Sequence, residues 1–403
     1  MFVPGLGRGG SAEHALVVSV AGAQAGHEVV MCFPPTADTA SLLADATAAG
    51  LSTVEWKLGH VVAGRNHYGS PAEQATEMSA VLDTVAPDAV LMMLPWPDSS
   101  IGAIAACAAA GVPTVPVFCL VRDVVRIPPE HQAVCTAARE RNQRWVAVSE
   151  ENRGLLCRLF AIPALDEVPV VYNGVDLPAE WQAPAASIVD SERAALRAAL
   201  GIPASARIAL TVARLAHPKG HRDLLAAAAR LPEAHADVHY VWVGQGPDEA
   251  ALRTAAADAG LAGRVHFLGY RRDVARLLYA ADVFVFPTHA EGCSRALIEA
   301  MAAGLPIVAS DASSNPELVG DGRHGLLFPA RDPARLTDRL EYALANPAQM
   351  RPMGIAARAR ARRELTAGAM CDGTYRVLAD VIQRRRTLAA DFELVDSFEA
   401  PGA

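Results

Sequence analysis

Lysine is almost missing from this 403-residue chain: of 36 basic residues only Lys57 and Lys219 are lysines, leaving 36 less two, or 34, arginines. Aromatic residues make up only 5%. A C-x-x-C pair is absent among the seven cysteines (Cys32, Cys107, Cys119, Cys135, Cys157, Cys293 and Cys371), and their count is odd. That argues against a zinc site or a disulfide framework and for reduced thiols in the cytoplasm. There is no excess of positive charge either: the net charge is -8. An overall basic field for nucleic acid is thereby excluded. Long apolar runs are lacking as well. The longest charge-free stretch, Ser99 to Val121, is interrupted by Gly111, Pro113 and Pro116, and reads as helix, turn and strand rather than a membrane span. Neither a secretory signal nor a basic, aromatic-rich amphipathic N-terminal helix is evident, so stable membrane insertion is not expected.

What is present is apolar material for two cores, with 52% hydrophobic residues in a chain long enough for two domains. The first 175 residues alternate apolar runs (Val29–Phe33, Ala89–Leu94, Thr114–Val121, Trp145–Val148, Val168–Val171) with helical stretches (Ser11–Ala25, Ala72–Val85, Ile101–Ala110). A Pro- and Ala-rich segment with one short helix, Ser191–Leu200, marks the boundary. A second series follows, with strands Ile208–Val212, Val238–Val243, Val265–Leu268, Val283–Phe286, Pro306–Ala309 and Gly325–Phe328. The expectation is an α/β protein of two doubly wound Rossmann-like domains facing across a cleft, residues 1–180 and 181–369. A last helix at about 370–386 is expected to pack back on the first domain, followed by a mobile tail at 387–403.

Gly5-Leu6-Gly7-Arg8-Gly9-Gly10 matches the G-x-G-x-x-G dinucleotide pattern, but the second strand ends Cys32-Phe33-Pro34-Pro35, without the acidic residue that would meet a ribose. A glycine turn that permits close approach of another group is what survives. Farther on, Glu291 and Glu299 frame a strand-to-helix loop in Glu291-Gly292-Cys293-Ser294-Arg295-Ala296-Leu297-Ile298-Glu299, with Ser294 as N-cap and Gly304 as the stop. Amides and dipole at that helix start suit an anion. Two isolated glutamates would ordinarily serve as a cap and an i, i+4 partner of Arg295. Here Arg214 and Lys219, the latter a lysine retained in an arginine-biased chain, follow the first strand of the same domain and suit a diphosphate.

These motifs, together with Gly9-Gly10-Ser11-Ala12-Glu13, Gly26-His27-Glu28-Val29, Val148-Ser149-Glu150, Asn173-Gly174-Val175-Asp176 and Val243-Gly244-Gln245-Gly246-Pro247, resemble the family 4 retaining glycosyltransferases of the GT-B fold. The resemblance covers most of the chain. It implies transfer of a sugar from a nucleotide-diphosphate sugar, a UDP-sugar first, to an acceptor hydroxyl, with no metal and no further cofactor. Arg214 and Lys219 would hold the diphosphate, Glu299 the ribose hydroxyls and Glu291 a sugar hydroxyl. Backbone amides of Cys293, Ser294 and Arg295 would meet sugar and phosphate, with Gly244 also at the donor and Gly9 and Gly10 admitting it. Retention by a front-face route would let the leaving phosphate take the acceptor proton, so no dedicated base is required.

Two departures stand out. Many relatives carry a histidine near the end of the strand written here Val117-Phe118-Cys119-Leu120-Val121-Arg122-Asp123, where Arg122 and Asp123 are the nearest polar groups. Arg122 is expected to meet an anionic or polar group of donor or acceptor, against the alternative of pairing with Asp123 or Glu150. Only Met1, Phe2 and Val3 precede Pro4, short for a first strand, so the true start is expected upstream or the strand is a stub. His67, Tyr68, Trp96 and Asp98 are acceptor candidates in loops, and the acceptor itself is a small molecule or a glycan. Cys293, at a helix start, is expected to lean toward thiolate. The rival readings are a sugar-nucleotide 2-epimerase of similar fold and a catalytically silent homologue that activates a partner; oligomeric state is not legible.

Overall fold

The computed structural model describes residues 1–62 and 65–398. The chain forms two compact units, one of Met1–Tyr172 with the chain from Gly368 onward, the other of Asn173–Ala367. The sequence placed these divisions at 180/181 and 369/370.

In the first unit the strands are β1 (Val30–Phe33), β2 (Ser52–Glu55), the antiparallel hairpin β3 (His60–Val62) and β4 (Arg65–His67), β5 (Val90–Leu94), β6 (Thr114–Phe118) and β7 (Val146–Ala147). β1 pairs with β2, and β5, β6 and β7 lie side by side, all parallel. Phe2 joins the two groups, bridging Cys32 and Met92, so the three residues before Pro4 do act as a stub of strand at the centre. The resulting order, β2-β1-stub-β5-β6-β7, reverses direction at the stub. Every residue of β5 and β6 is buried, as expected where helices cover both faces of a parallel sheet. Each large apolar side chain there contributes roughly 1.5–3 kcal/mol by leaving water. Phe118, Trp145 and Phe160 pack ring to ring beneath them.

Two expectations are corrected, and three strands are new. β2 and the β3–β4 hairpin were not foreseen, because β2 shows no buried alternation: its burial pattern is almost wholly exposed. Val168–Val171 is not a strand; Val170 makes only an isolated bridge to Ala147. The last helix runs Ala367–Phe398, well past 386, so 387–398 is helical, and the remainder of the expected tail lies outside the described residues. This helix is fixed to the first unit by the Tyr375 hydroxyl, which donates to the Val18 carbonyl (2.8 Å).

The second unit holds one six-stranded parallel sheet: β8 (Arg207–Val212), β9 (Val238–Val243), β10 (Val265–Phe267), β11 (Val283–Phe286), β12 (Ile307–Ser310) and β13 (Leu326–Phe328), in the order β10-β9-β8-β11-β12-β13. Tyr240, Trp242, Val285 and Phe328 are buried in its core. Both sheets therefore have the doubly wound strand order with one reversal point each. Among the described residues, no helix is long and apolar enough to cross a membrane.

Candidate functional site

In the second sheet the reversal lies between β8 and β11, and ligands of such sheets sit beyond the carboxyl ends of the strands at that point. The loops leaving these two strands are locked together. After β8 the chain makes a short turn at His217–Lys219 and enters a helix at His221–Ala228 through Gly220, whose φ is +69°. A Cβ on Gly220 would lie 1.8 Å from the Pro287 carbonyl oxygen, so only glycine lets the loops approach this closely. Pro218 O then accepts from the His289 amide (2.8 Å) and from Thr288 Oγ1 (3.0 Å).

On this frame the Lys219 ammonium pairs with Glu291 Oε1. Thr288 Oγ1 approaches the same carboxylate oxygen at 3.0 Å. The Glu291 amide donates to Ser313 Oγ (3.1 Å), reaching the loop after β12, where Ser313 holds φ of +53°. Ser310 Oγ closes that contact by donating to the Thr288 carbonyl (2.6 Å). Beside the pair, His289 Nε2 meets Asp223 Oδ2 at 2.7 Å, with only 8% of the His289 side chain exposed. His221 is buried against Trp242, and burial, aided by the Lys219 charge, pushes its pKa down to about 4.

Ser294 caps the Arg295–Ala303 helix by accepting from the Leu297 amide (3.3 Å), and Gly304 ends it at φ +73°. Among the described residues, the amides of Cys293, Ser294 and Arg295 have no hydrogen-bond acceptor. They lie at the positive end of a helix dipole, largely buried and next in sequence to the Lys219–Glu291 pair. Arg295 donates to the Gly174 carbonyl (3.2 Å) rather than to Glu299, and Asn173 Nδ2 donates to the Cys293 carbonyl (2.6 Å). Glu299 lies half-buried farther along the helix.

Arg214 follows β8 exposed, its guanidinium without a partner among the described residues. Gly244, at the end of β9, has φ +138°, and its Cβ would lie 2.0 Å from the Ala213 carbonyl oxygen. Its amide is committed to the Gly269 carbonyl (2.8 Å), so it contributes close approach next to Arg214 rather than a donor.

Cys293 is corrected. Burial dominates over the helix start and pushes its thiol up to about 12, so it is not a thiolate at neutral pH.

The remaining candidates belong to the first unit. Gly9 is the N-cap of the Gly10–Gln24 helix, and a Cβ on either Gly9 or Gly10 would meet nothing within 4 Å. Neighbouring Arg8 is held by Glu13 (2.6 Å) and Asp45 (2.5 Å). Trp96, half-buried in the loop after β5, gives its carbonyl to the Ser99 amide (3.3 Å) and hydroxyl (2.7 Å). Arg122, in the loop after β6, is half-buried and has no side-chain partner among the described residues, neither Asp123 nor Glu150; Glu150 pairs with Arg153. Asp123 is exposed, as is His67 on β4.

Thr288, His289, Asp223 and Ser313 were not foreseen. The turn-forming run Asp311-Ala312-Ser313-Ser314-Asn315 marked a loop in the sequence, but nothing in it pointed to Glu291. The His289–Asp223 contact joins residues distant in sequence and left no local signal.

Two doubly wound Rossmann-like units are the arrangement of the GT-B fold. Residues 192–360, within the second unit, match the family described as glycosyl transferases group 1. It is similar to a D-inositol 3-phosphate glycosyltransferase of Mycolicibacterium gilvum, 35% identical over 222 residues, 53% of this chain and 47% of that one. An alpha-maltose-1-phosphate synthase of Mycolicibacterium smegmatis is 31% identical over 254 residues, 59% of this chain and 62% of that one. The matches thus span about half the length of the first curated relatives (47% and 44%). The solved structure of Anabaena Alr3699/HepE in complex with UDP shares the fold over nearly the whole chain: TM-score 0.77, 19% identity, 94% of this chain and 98% of that one.

Proposed function

We propose that the protein transfers a glycosyl group from a nucleotide-diphosphate sugar to an acceptor hydroxyl, with retention at the anomeric carbon and without a metal ion. The observation that carries this reading is the set of free amides at Cys293, Ser294 and Arg295 beside the Lys219–Glu291 pair at the reversal point. Breaking the glycosidic bond to phosphate builds negative charge on the leaving diphosphate while the sugar becomes cationic. Fixed donors at the diphosphate then stabilise the transition state more than the ground state. Lys219, the free Arg214 guanidinium and the helix amides supply that charge from the protein itself. In this reading Glu291 accepts a hydrogen bond from a sugar hydroxyl, Glu299 accepts from the ribose hydroxyls, and the leaving phosphate takes the acceptor proton. In the first unit, Gly9 and Gly10 leave open space, and Arg122, Asp123, His67 and Trp96 are the groups offered to the acceptor. A UDP-sugar is the first donor to test, because Alr3699/HepE was crystallised with UDP-glucose.

The test is thermal stabilisation by UDP, GDP, dTDP and ADP sugars, followed by transfer assays and NMR of the product anomer. One nucleotide family should raise the melting temperature, and Arg214→Ala/Lys219→Ala should abolish the shift and lower turnover by roughly 10²–10³-fold. Inversion at the anomeric carbon would exclude the retaining route. Epimerised donor formed without acceptor would favour an epimerase, and no shift with any sugar nucleotide would favour a silent homologue.

A further inference from the structure

Lys219 has a partner within the protein itself. Its ammonium, 22% exposed, pairs with the Glu291 carboxylate, 13% exposed, so each offsets a charge that has lost most of its water. A diphosphate that takes Lys219 draws the ammonium away from this carboxylate, which is poorly hydrated and then lies close to added negative charge. The surrounding bonds fix what that separation involves. Thr288 Oγ1 has one proton and three acceptors in reach: Glu291 Oε1 (3.0 Å), Pro218 O (3.0 Å) and Ala290 O (3.3 Å). It can turn to Pro218 without loss when Glu291 moves. The backbone does not follow, because the Glu291 amide is tied to Ser313 and the His289 amide to Pro218. The His289–Asp223 contact adds a second tie between the same two loops. The exchange is confined to the side chains of Lys219, Glu291 and Thr288.

We infer that Glu291 is an internal competitor for Lys219, so that the site discriminates the intact sugar nucleotide from the free nucleoside diphosphate. This rests on the donor site proposed above and deepens it. When an intact donor binds, its phosphate takes Lys219 and its sugar hydroxyls donate to the released carboxylate, so both separated charges regain partners. A free diphosphate satisfies only the lysine. After transfer the sugar has left, Glu291 loses its hydroxyl donors and returns to Lys219, which loosens the product diphosphate. The same carboxylate thus favours the donor on entry and the product's departure.

The experiment is isothermal titration of the full chain with UDP and with UDP-glucose, using the GDP, ADP and dTDP pairs if UDP does not bind, on wild type, Glu291→Gln and Lys219→Ala. Wild type should bind the sugar nucleotide at least tenfold more tightly than the bare diphosphate. Glu291→Gln keeps the side-chain shape without the charge. It should bind the bare diphosphate at least fivefold more tightly than wild type does, while the preference for the sugar nucleotide shrinks. A residue that only shapes the loop would instead weaken both ligands when changed. Equal affinity of wild type for the two ligands overturns the inference without recourse to any variant. Unchanged or weaker diphosphate binding by a folded Glu291→Gln overturns it as well. If wild type binds and Lys219→Ala does not, the donor site stands whatever Glu291→Gln does; if wild type binds none of the nucleotides, the donor site falls and this inference with it.

Discussion

The two units share one strand order and one kind of reversal point, yet they furnish it in opposite ways. In the second unit the loops after β8 and β11 are clamped by Gly220 against Pro287, and their charges are already paired, Lys219 with Glu291 and Asp223 with His289. In the first unit the corresponding loops offer open space at Gly9 and Gly10, the half-buried Trp96 and, one strand over, an Arg122 without a side-chain partner among the described residues. The contrast teaches that a sheet topology sets where a ligand sits but not how preformed its site is. A ligand of fixed charge and geometry is held by a rigid cradle without reorganisation at the moment of reaction, which is why the proposed donor site is the clamped one.

The comparison breaks most visibly at its glycines. Gly220→Ala places a methyl group against a backbone oxygen at φ +69°, and should destabilise the second unit by on the order of 3 kcal/mol or more. Calorimetry should show the corresponding transition lowered by roughly 6–12 °C. Gly9→Ala should leave stability within about 0.5 kcal/mol, since its φ of -137° suits any residue and the space is open. If the two variants melt alike, the rigid-versus-open contrast is wrong.

Acid should act on the second unit through His221. The unfolded chain protonates this ring below about pH 6.5, whereas the folded chain resists until about pH 4, so stability is lost as pH falls through that window. The loss is at most about 3 kcal/mol. His221→Phe should flatten the acid limb of a urea-denaturation series measured between those pH values; a limb as steep as in wild type would assign the acid sensitivity to other groups. The smallest effect concerns the first unit. Arg122→Ala should reduce kcat/KM by about tenfold, as expected for loss of one charged hydrogen bond, with melting temperature unchanged. Unchanged kinetics with the true substrates would remove Arg122 from the site.

Much of the fold was legible because parallel sheets write long apolar runs at regular intervals: the strands of the second unit were located to within a residue or two. The elements that escaped are those that left no regular pattern in the sequence. β2 is exposed, the β3–β4 hairpin is short, and the Val168–Val171 run is apolar for reasons of packing rather than pairing. At the site, Lys219, Glu291 and the Ser294 cap were legible because local spacing around a strand-to-helix turn carries them. Asp223, His289 and Ser313 were not, since each acts across loops that only the sheet brings together.

The expectation for Cys293 failed for a related reason. A helix start lowers a thiol pKa only where water or a counter-charge also reaches the sulfur, and whether it does is not a property of neighbouring residues in sequence.

By itself the sequence determined the two doubly wound units, the helix start at Ser294 and the residue types able to meet a diphosphate, because strand period, capping and glycine conformation are local. Only the tertiary structure decided that Lys219 is paired with Glu291, that Arg214 and Arg122 are not paired among the described residues, and that Cys293 is sealed from solvent. Burial and charge pairing depend on which loops the sheet places side by side, and strand order rather than local pattern fixes that.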